Sequence, residues 1–503
     1  MQGEILAATP GRRGGAAIVA YGTYLPAWKL DRAAITATLG QGGGRGSRSV
    51  ASFDEDSTSM GVEAARALMA IAPAGFRPET VLFATTSPAY ADKTNATTVH
   101  AALGLSRSVA AYDAVGSVRS GVGALRLAGR SSGSTLVVAS DVRTGLPGGG
   151  DEAAGGDGAV AFALSDSGDG LVEVLAEASS SGEFLDRWRK PGEINSRLWE
   201  ERFGQAAYVP LAQEAVTEAL KAAELTADGI DHLIVTGAHA RAVKAVRAWV
   251  GAGHDAIAAD LTTSIGHAGA AHAGLALADV LDRAAPGEVI VHVTLADGAD
   301  VAVLRTTAAL DAYRARAPTT LAAQNAAATR SVPYASFLTW RGLLHREPPR
   351  RPDPDAPAGP PSLRNQAWKF SFMASRCEAC GTRHLPPQRV CLTCHATDQM
   401  APERLADVEA TIATYTVDRL AFSLAPPVVA AVVDFDGGGR FQSELADVDA
   451  SEVAIGGRVQ MTFRRMYTAT NGVHDYFWKA RLVPPAGAGP GTLTQTTATE
   501  KGA

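Results

Sequence analysis

All four cysteines of this 503-residue chain lie between residues 377 and 394, as Cys377-Glu-Ala-Cys380 and Cys391-Leu-Thr-Cys394. Two Cys-x-x-Cys knuckles at this spacing bring four thiolates to one point, the tetrahedral S4 arrangement that zinc prefers. Gly381 directly after the first knuckle suits the tight turn such a site needs. A pair of disulfides and a redox dithiol are the alternatives. A redox motif is more often a single knuckle beside a βαβ unit, so a structural zinc ribbon is the expected reading. His384 and His395 flank the knuckles and are surplus to it. A closed four-thiolate shell has no open position for substrate. It also leaves no cysteine anywhere else in the chain for nucleophilic catalysis.

The remaining sequence describes a multidomain protein with 46% hydrophobic and 19% charged residues. A net charge of −6 provides no basic field for nucleic acid. No apolar run has the length of a membrane span. Arg12 and Arg13 are not followed by an apolar core, so residues 1–15 read as a disordered N-terminus and not as a signal peptide. Without a disulfide framework elsewhere, the expected compartment is the cytoplasm.

Residues 16–310 alternate short apolar runs with Ala/Leu-rich helical stretches. Strands are expected at Leu82–Thr86, Thr135–Ala139, Ala159–Leu164, His232–Thr236, Glu288–Leu295 and Val301–Arg305, and helices at Ser59–Ile71, Leu211–Ala223 and Gly274–Ala284. Continuous apolar strands are covered on both faces, which implies an α/β layered domain. The order strand, Gly-rich helix start, strand, turn, strand occurs twice, so two similar halves should stack around shared central helices. Gly40–Gly46 and Gly145–Gly158 lack a phosphate-loop pattern and read as flexible loops, the second near a site mouth. Residues 311–361 read as a helical extension followed by a Pro-rich spacer that begins at Arg346. The zinc ribbon is expected over 362–400. Five β-patterned runs with Gly437-Gly438-Gly439 and Gly456-Gly457 turns suggest a small OB-type barrel over 401–485, and 486–503 reads as a disordered tail.

Several stretches resemble the 3-hydroxy-3-methylglutaryl-CoA synthase branch of the thiolase superfamily. They are Ser52–Met60 with Glu63-Ala-Ala65, Lys93-Thr-Asn-Ala-Thr97, Asp113–Gly121, Gly158–Ala161, Trp188–Glu193 with Glu201-Arg-Phe203, and Ser264-Ile-Gly266. Pro386-Pro387 before the second knuckle and Pro426-Pro427 before a strand resemble the zinc-ribbon/OB-fold family that accompanies thiolase-type enzymes. The resemblance implies a thiolase-like α/β/α/β/α layered domain with duplicated halves, a homodimer, CoA thioesters as ligands and a thiolase-family partner protein.

The resemblance also locates the family's catalytic positions, and this chain departs from each of them. Val118 stands where the family has its nucleophilic cysteine, and Ser117 precedes it. The catalytic Glu falls near Thr86, the His near Thr236 or Gly237, and the Asn at His267. Claisen condensation through an acyl-enzyme needs a thiolate that both attacks and leaves, and valine does neither. Ser117 as a nucleophile would require an adjacent base. The expected function is therefore a subunit of a thiolase/OB-fold complex that forms or cleaves carbon–carbon bonds on CoA thioesters, serving as scaffold or CoA-tunnel partner. The alternative is an aldol or retro-aldol acyl-CoA lyase that uses His239 and His267 as acid/base groups, with a backbone oxyanion hole near Gly298 and Val118. An orthodox synthase is the weakest reading. Tyr90, Tyr112 and Tyr208 are further possible donors to an enolate oxygen, with aromatic packing the plainer role for each.

Overall fold

A computed structural model describes residues 9–10, 15–317, 319–350 and 354–483. The chain divides into two compact units. The first runs to Met373 and includes Phe422–Pro426 and Phe463–Trp478; the second holds Ala374–Ala421, Pro427–Thr462 and the residues from Lys479.

The first unit is built on two sheets. Strands β1 (Ala17–Tyr24), β2 (Thr80–Thr85), β3 (Ala110–Val115), β4 (Ser134–Asp141) and β5 (Gly158–Ser165) pair in the order β1-β5-β4-β2-β3. Strands β6 (Val172–Ser181), β7 (His232–Gly237), β8 (Val289–Leu295) and β9 (Gly298–Thr306) pair in the order β6-β9-β8-β7. The two orders correspond: β4 and β2 are parallel, as are β8 and β7, and each parallel pair is followed by an antiparallel return. The duplication expected from sequence is therefore real, with one asymmetry. The second-half counterpart of β3 is reduced to a single parallel bridge between Leu233 and Ile257. Thr9–Pro10 adds a short strand at the opposite edge, against β6.

Helix α1 (Ser57–Ile71) covers the outer face of the first sheet, and α3 (Glu201–Ala222) and α4 (Ala240–Val250) cover the outer face of the second. Helices α2 (Arg119–Arg130) and α5 (His272–Leu281) lie between the sheets, completing the expected α/β/α/β/α layers. The outer face of the second sheet forms a core with Ala212, Val216, Val246, Val291, Val293 and Val303. Strand alternation turns the neighbouring His292, Thr294 and Ala302 toward the central layer.

Three expectations are corrected here. The helix expected at Leu211–Ala223 instead runs from Glu201 to Ala222, through Pro210. Burial of Gly204, Tyr208, Ala212, Ala215 and Val216 outweighs the penalty of one interior proline. Residues 311–345 are not one helical extension; they form helices Ala309–Arg314, Leu321–Ala327 and Tyr334–Trp340, with Arg330–Ser331 pairing beside Trp28–Lys29. Pro360 and Pro361, assigned to the spacer, open the helix Gly359–Arg364, where their missing N–H groups cost no hydrogen bond. Of the segments read as disordered, 1–15 and 486–503, residues 1–8, 11–14 and 486–503 lie outside the described residues, whereas Thr9–Pro10 pair as a strand.

In the second unit a ribbon sheet of β10 (Met373–Cys377), β11 (Arg383–His384) and β12 (Met400–Arg404) carries the knuckles. It is followed by five strands: β13 (Ala410–Asp418), β14 (Val428–Phe435), β15 (Arg440–Glu444), β16 (Arg458–Thr468) and β17 (His474–Leu482). They pair in the order β15-β14-β13-β16-β17, as a small OB-type fold requires. The distal parts of β16 and β17, Phe463–Trp478, belong to the first unit.

Candidate functional site

Val118, which the resemblance placed at the nucleophile position, caps the start of α2 without a side-chain hydrogen bond. A Cβ on Gly121, one turn on, would fall 2.1 Å from the Ala270 carbonyl oxygen, so α2 crosses the 268–271 segment at backbone contact. Ser117 Oγ donates to Asp297 Oδ2 at 3.0 Å and accepts from the Arg119 N–H at 3.2 Å. It therefore ties off the helix start, and its neighbour is a carboxylate, not the imidazole that would activate a serine.

Thr86, near which the resemblance placed the catalytic Glu, is locked. Its Oγ1 donates to Asp141 Oδ2 at 2.9 Å and accepts from Arg143 at 2.8 Å, and Arg189 reaches its carbonyl oxygen. Asp141 is fully buried and takes five donors: Thr85 Oγ1, the Thr86 N–H, Ser87 Oγ, Thr86 Oγ1 and the Ala270 N–H. This carboxylate is saturated. It fastens the end of β2 to the 268–271 segment and has no lone pair to spare for proton transfer. Thr236 is likewise occupied, with Val293 O and Thr294.

The Gly145–Gly158 stretch is not a flexible loop. It contains the helix Gly150–Ala154 and a fully buried Glu152 bonded to Tyr334 at 2.9 Å, and Gly155 bridges to His267. His267 stacks on His272 with ring centroids 4.3 Å apart. Its Nδ1 accepts from the Gly269 N–H at 3.2 Å, so the proton sits on Nε2, which has no partner. His239 is arranged the same way: Nδ1 accepts from the Ala242 N–H at 3.1 Å and caps α4, leaving Nε2 buried and unpartnered. Both candidates thus present an N–H donor and not a basic lone pair. No hydrogen bond or ring contact joins His239 to His267; His239 sits against Tyr208, which donates to Asp186 at 3.2 Å. Burial raises the Asp186 pKa above the usual carboxylate range. Tyr90 accepts from the His474 N–H, and Tyr112 is exposed on β3.

Burial lowers the His267 pKa well below the ordinary value, with His272, Arg143 and Arg187 adding to the effect, and burial brings His272 to about 4. In the unfolded chain His272 protonates near pH 6.5, while the folded protein keeps it neutral to about 4. The unfolded state binds the extra proton in that window, so this contribution to stability is full above pH 6.5 and is lost as pH falls to 4. The slope is about 1.4 kcal/mol per pH unit. His272→Gln should flatten the pH profile of the unfolding free energy from urea melts between pH 6.5 and 4 by about that slope; parallel profiles for variant and parent would contradict it.

The four cysteine Sγ atoms lie within 4.8 Å of one another, with Cys377 to Cys394 at 3.6 Å and Cys380 to Cys391 at 3.5 Å. The Thr393 and Cys394 N–H groups point at Cys391 Sγ, and the Cys394 amide above all brings this thiol down to about 5. Gly381 has φ +79°, the left-handed turn expected after the first knuckle. Four convergent thiols with N–H donors to sulfur fit a structural zinc ion. His384 is buried beside Cys391, and His395 is exposed.

Comparisons with known proteins agree with this division. Residues 370–399 match the ChsH2 rubredoxin-like zinc ribbon domain, and residues 403–464 the ChsH2 C-terminal OB-fold domain. The chain is 29% identical over 299 residues to the hydroxymethylglutaryl-CoA synthase of Aeropyrum pernix, covering 56% of this chain and 82% of that protein. It is 27% identical over 126 residues to a DUF35 domain-containing scaffold protein of Methanocaldococcus jannaschii, covering 24% of this chain and 89% of that protein. A solved HMG-CoA synthase complexed with CoA has the same fold, with a TM-score of 0.54 at 15% identity over 64% of this chain and 89% of that one.

Proposed function

We infer that this fusion of a thiolase-fold region, similar to hydroxymethylglutaryl-CoA synthases, with a ChsH2-type zinc ribbon and OB fold is a non-condensing subunit. It handles acyl-CoA for a catalytically complete thiolase-fold partner. The observation that carries this reading is the start of α2, where Val118 replaces a thiol while all four cysteines are gathered in the ribbon. The surroundings agree. Thr86 is held by Asp141 and Arg143, and His239 and His267 offer donors without a base. Two N–H donors can hold a thioester oxygen, but without a nucleophile they do not turn the thioester over. The name of the M. jannaschii relative, a scaffold protein, supports the partner role of the C-terminal unit.

The test is affinity purification of the full chain from its native host, which should recover a thiolase-fold partner. Recovery of the chain alone, with its own turnover of acyl-CoA, would reverse the reading. A second measurement separates a missing thiol from a dismantled site. Val118→Cys should become alkylated by iodoacetamide yet release no CoA from acetyl-CoA and acetoacetyl-CoA above the parent level, because no carboxylate stands at Thr86. Condensation by this single variant would show that the site is otherwise intact.

The unpartnered Nε2 atoms of His239 and His267 favour one second reading, an aldol-type lyase. It requires turnover of a β-hydroxyacyl-CoA by the purified chain, abolished when both histidines are changed to Ala.

The same unit is proposed to form a homodimer. β3 is an edge strand of its sheet, and Tyr112, Val115 and, on α2, Leu127 are exposed. Such an edge invites pairing with a second copy. Sedimentation should give a dimer for the parent and a monomer for the Tyr112→Asp/Val115→Asp variant; equal values for both would place the contact elsewhere.

A further inference from the structure

We infer that the space between the two sheets alongside α2 is a binding site for a neutral lipophilic molecule that presents one hydroxyl or carbonyl group to His292. The cavity measures about 620 Å³, a size typical of small-molecule sites. One wall is the apolar inner face of β4 and β5, with Val137, Ala139, Val160 and Phe162. The opposite wall is the inner face of β8 and β9, where His292 pairs in register with Ala302 and Thr294 with Asp300. α2 runs along the cavity with small or flat-sided residues, Gly121, Val122, Leu125 and Gly129, and so does not fill it.

His292 is the feature that separates this space from a dry packing defect. It is 8% exposed and lines the cavity, and neither ring nitrogen has a protein hydrogen bond; Nε2 is sealed, so Nδ1 is the nitrogen open to a ligand. A buried polar atom is normally hydrogen-bonded. Burial, followed by the nearby His272, brings its pKa to about 4, so at neutral pH it is an uncharged hydrogen-bonding group. The charges around the cavity are already paired: Arg126 with Glu177 and Asp300, Arg119 with Asp300, and Arg130 with Glu177. A carboxylate entering would find those cations engaged, which selects a neutral ligand over a fatty-acid anion. Exposed Arg130, Glu173 and Val174 mark the mouth, away from Val118. This site stands apart from the acyl-CoA reading above.

Fluorescence titration of the full chain with 1-hydroxypyrene, pyrene and pyrene-1-carboxylate at pH 7 tests it. One 1-hydroxypyrene per chain should bind, more tightly than pyrene, and the carboxylate weakest. Ala302→Phe, which fills the space beside His292 on the same wall, should weaken 1-hydroxypyrene at least about tenfold. His292→Leu should weaken it about five- to tenfold while leaving pyrene unchanged, the loss of one hydrogen bond. If Ala302→Phe does not fold, the His292→Leu comparison decides. Three outcomes overturn the proposal: tightest binding of the carboxylate, unchanged binding by both folded variants, or binding only when the chain is monomeric, which would assign the space to a contact with a second copy.

Discussion

Stripping zinc from the ribbon is expected to unfold residues 374–404 while the first unit keeps its own melting transition. The reason lies in how little else holds this segment. Its strands β10, β11 and β12 are five, two and five residues long. Such a sheet has no independent stability. Cys377 and Cys391 are buried whereas Cys380 and Cys394 are exposed, so the metal site itself is the core. Binding of a structural zinc to four thiolates is worth roughly 10–16 kcal/mol at neutral pH, and in such small domains that energy is folding energy. Metal analysis of the parent should give about one zinc per chain. After chelation, amide exchange over 374–404 should rise to the rate of unstructured chain, and all four thiols should react with a disulfide reagent. Cys391→Ser should do the same without a chelator. Retained protection of this segment in demonstrably metal-free protein would mean that the thiols are close for another reason.

The ribbon was legible because its information is local: four residues of one type at fixed spacing specify a site almost independently of the rest of the fold. The α/β layers were legible for a related reason, since runs such as Val289–Leu295 are apolar on every residue and demand cover on both faces. β3 was missed because its covering is incomplete. Ala110–Val115 carries Tyr112 and Val115 exposed and alternates weakly, so periodicity could not find it. The site was legible only as a set of absences. That Val118 is not a cysteine is visible in the sequence. That Thr86 is pinned by Asp141, 55 residues away, is visible only when β2 and β4 lie side by side. The tautomers of His239 and His267 were equally out of reach, because each is set by a backbone N–H two or three residues on whose direction depends on the local turn. The acid/base role expected for these two residues therefore rests on Nε2 alone, since the turns occupy Nδ1.

The same contrast between local motif and distant partner yields the second large effect. Ser52–Met60, one of the stretches that carry the family resemblance, holds Asp54, Glu55 and Asp56 in succession. Asp56 has a local use, capping α1 in a reciprocal box with Ser59. The other two acids are buried, and their partner is Arg464 on β16, a side chain with no exposed surface, 3.1 Å from Asp54 Oδ1 and 3.1 Å from Glu55 Oε1. Tyr24 OH donates to Glu55 as well, and Tyr476 OH reaches Asp56 at 2.6 Å. One guanidinium therefore lies between two buried carboxylates. Arg464→Ala removes it and leaves two like charges together in a poorly solvated site, a loss of about 3–5 kcal/mol of stability. The penalty comes from two buried acids that lose this cation and not from the pair's net worth. Arg464→Met combined with Asp54→Asn and Glu55→Gln, which keeps the volume and removes every charge, should therefore recover most of that loss. Urea denaturation of the first unit's transition reads both. A single variant within about 1 kcal/mol of the parent would mean that water reaches Asp54 and Glu55. A triple variant no better than the single would mean that Arg464 acts through packing of its stem.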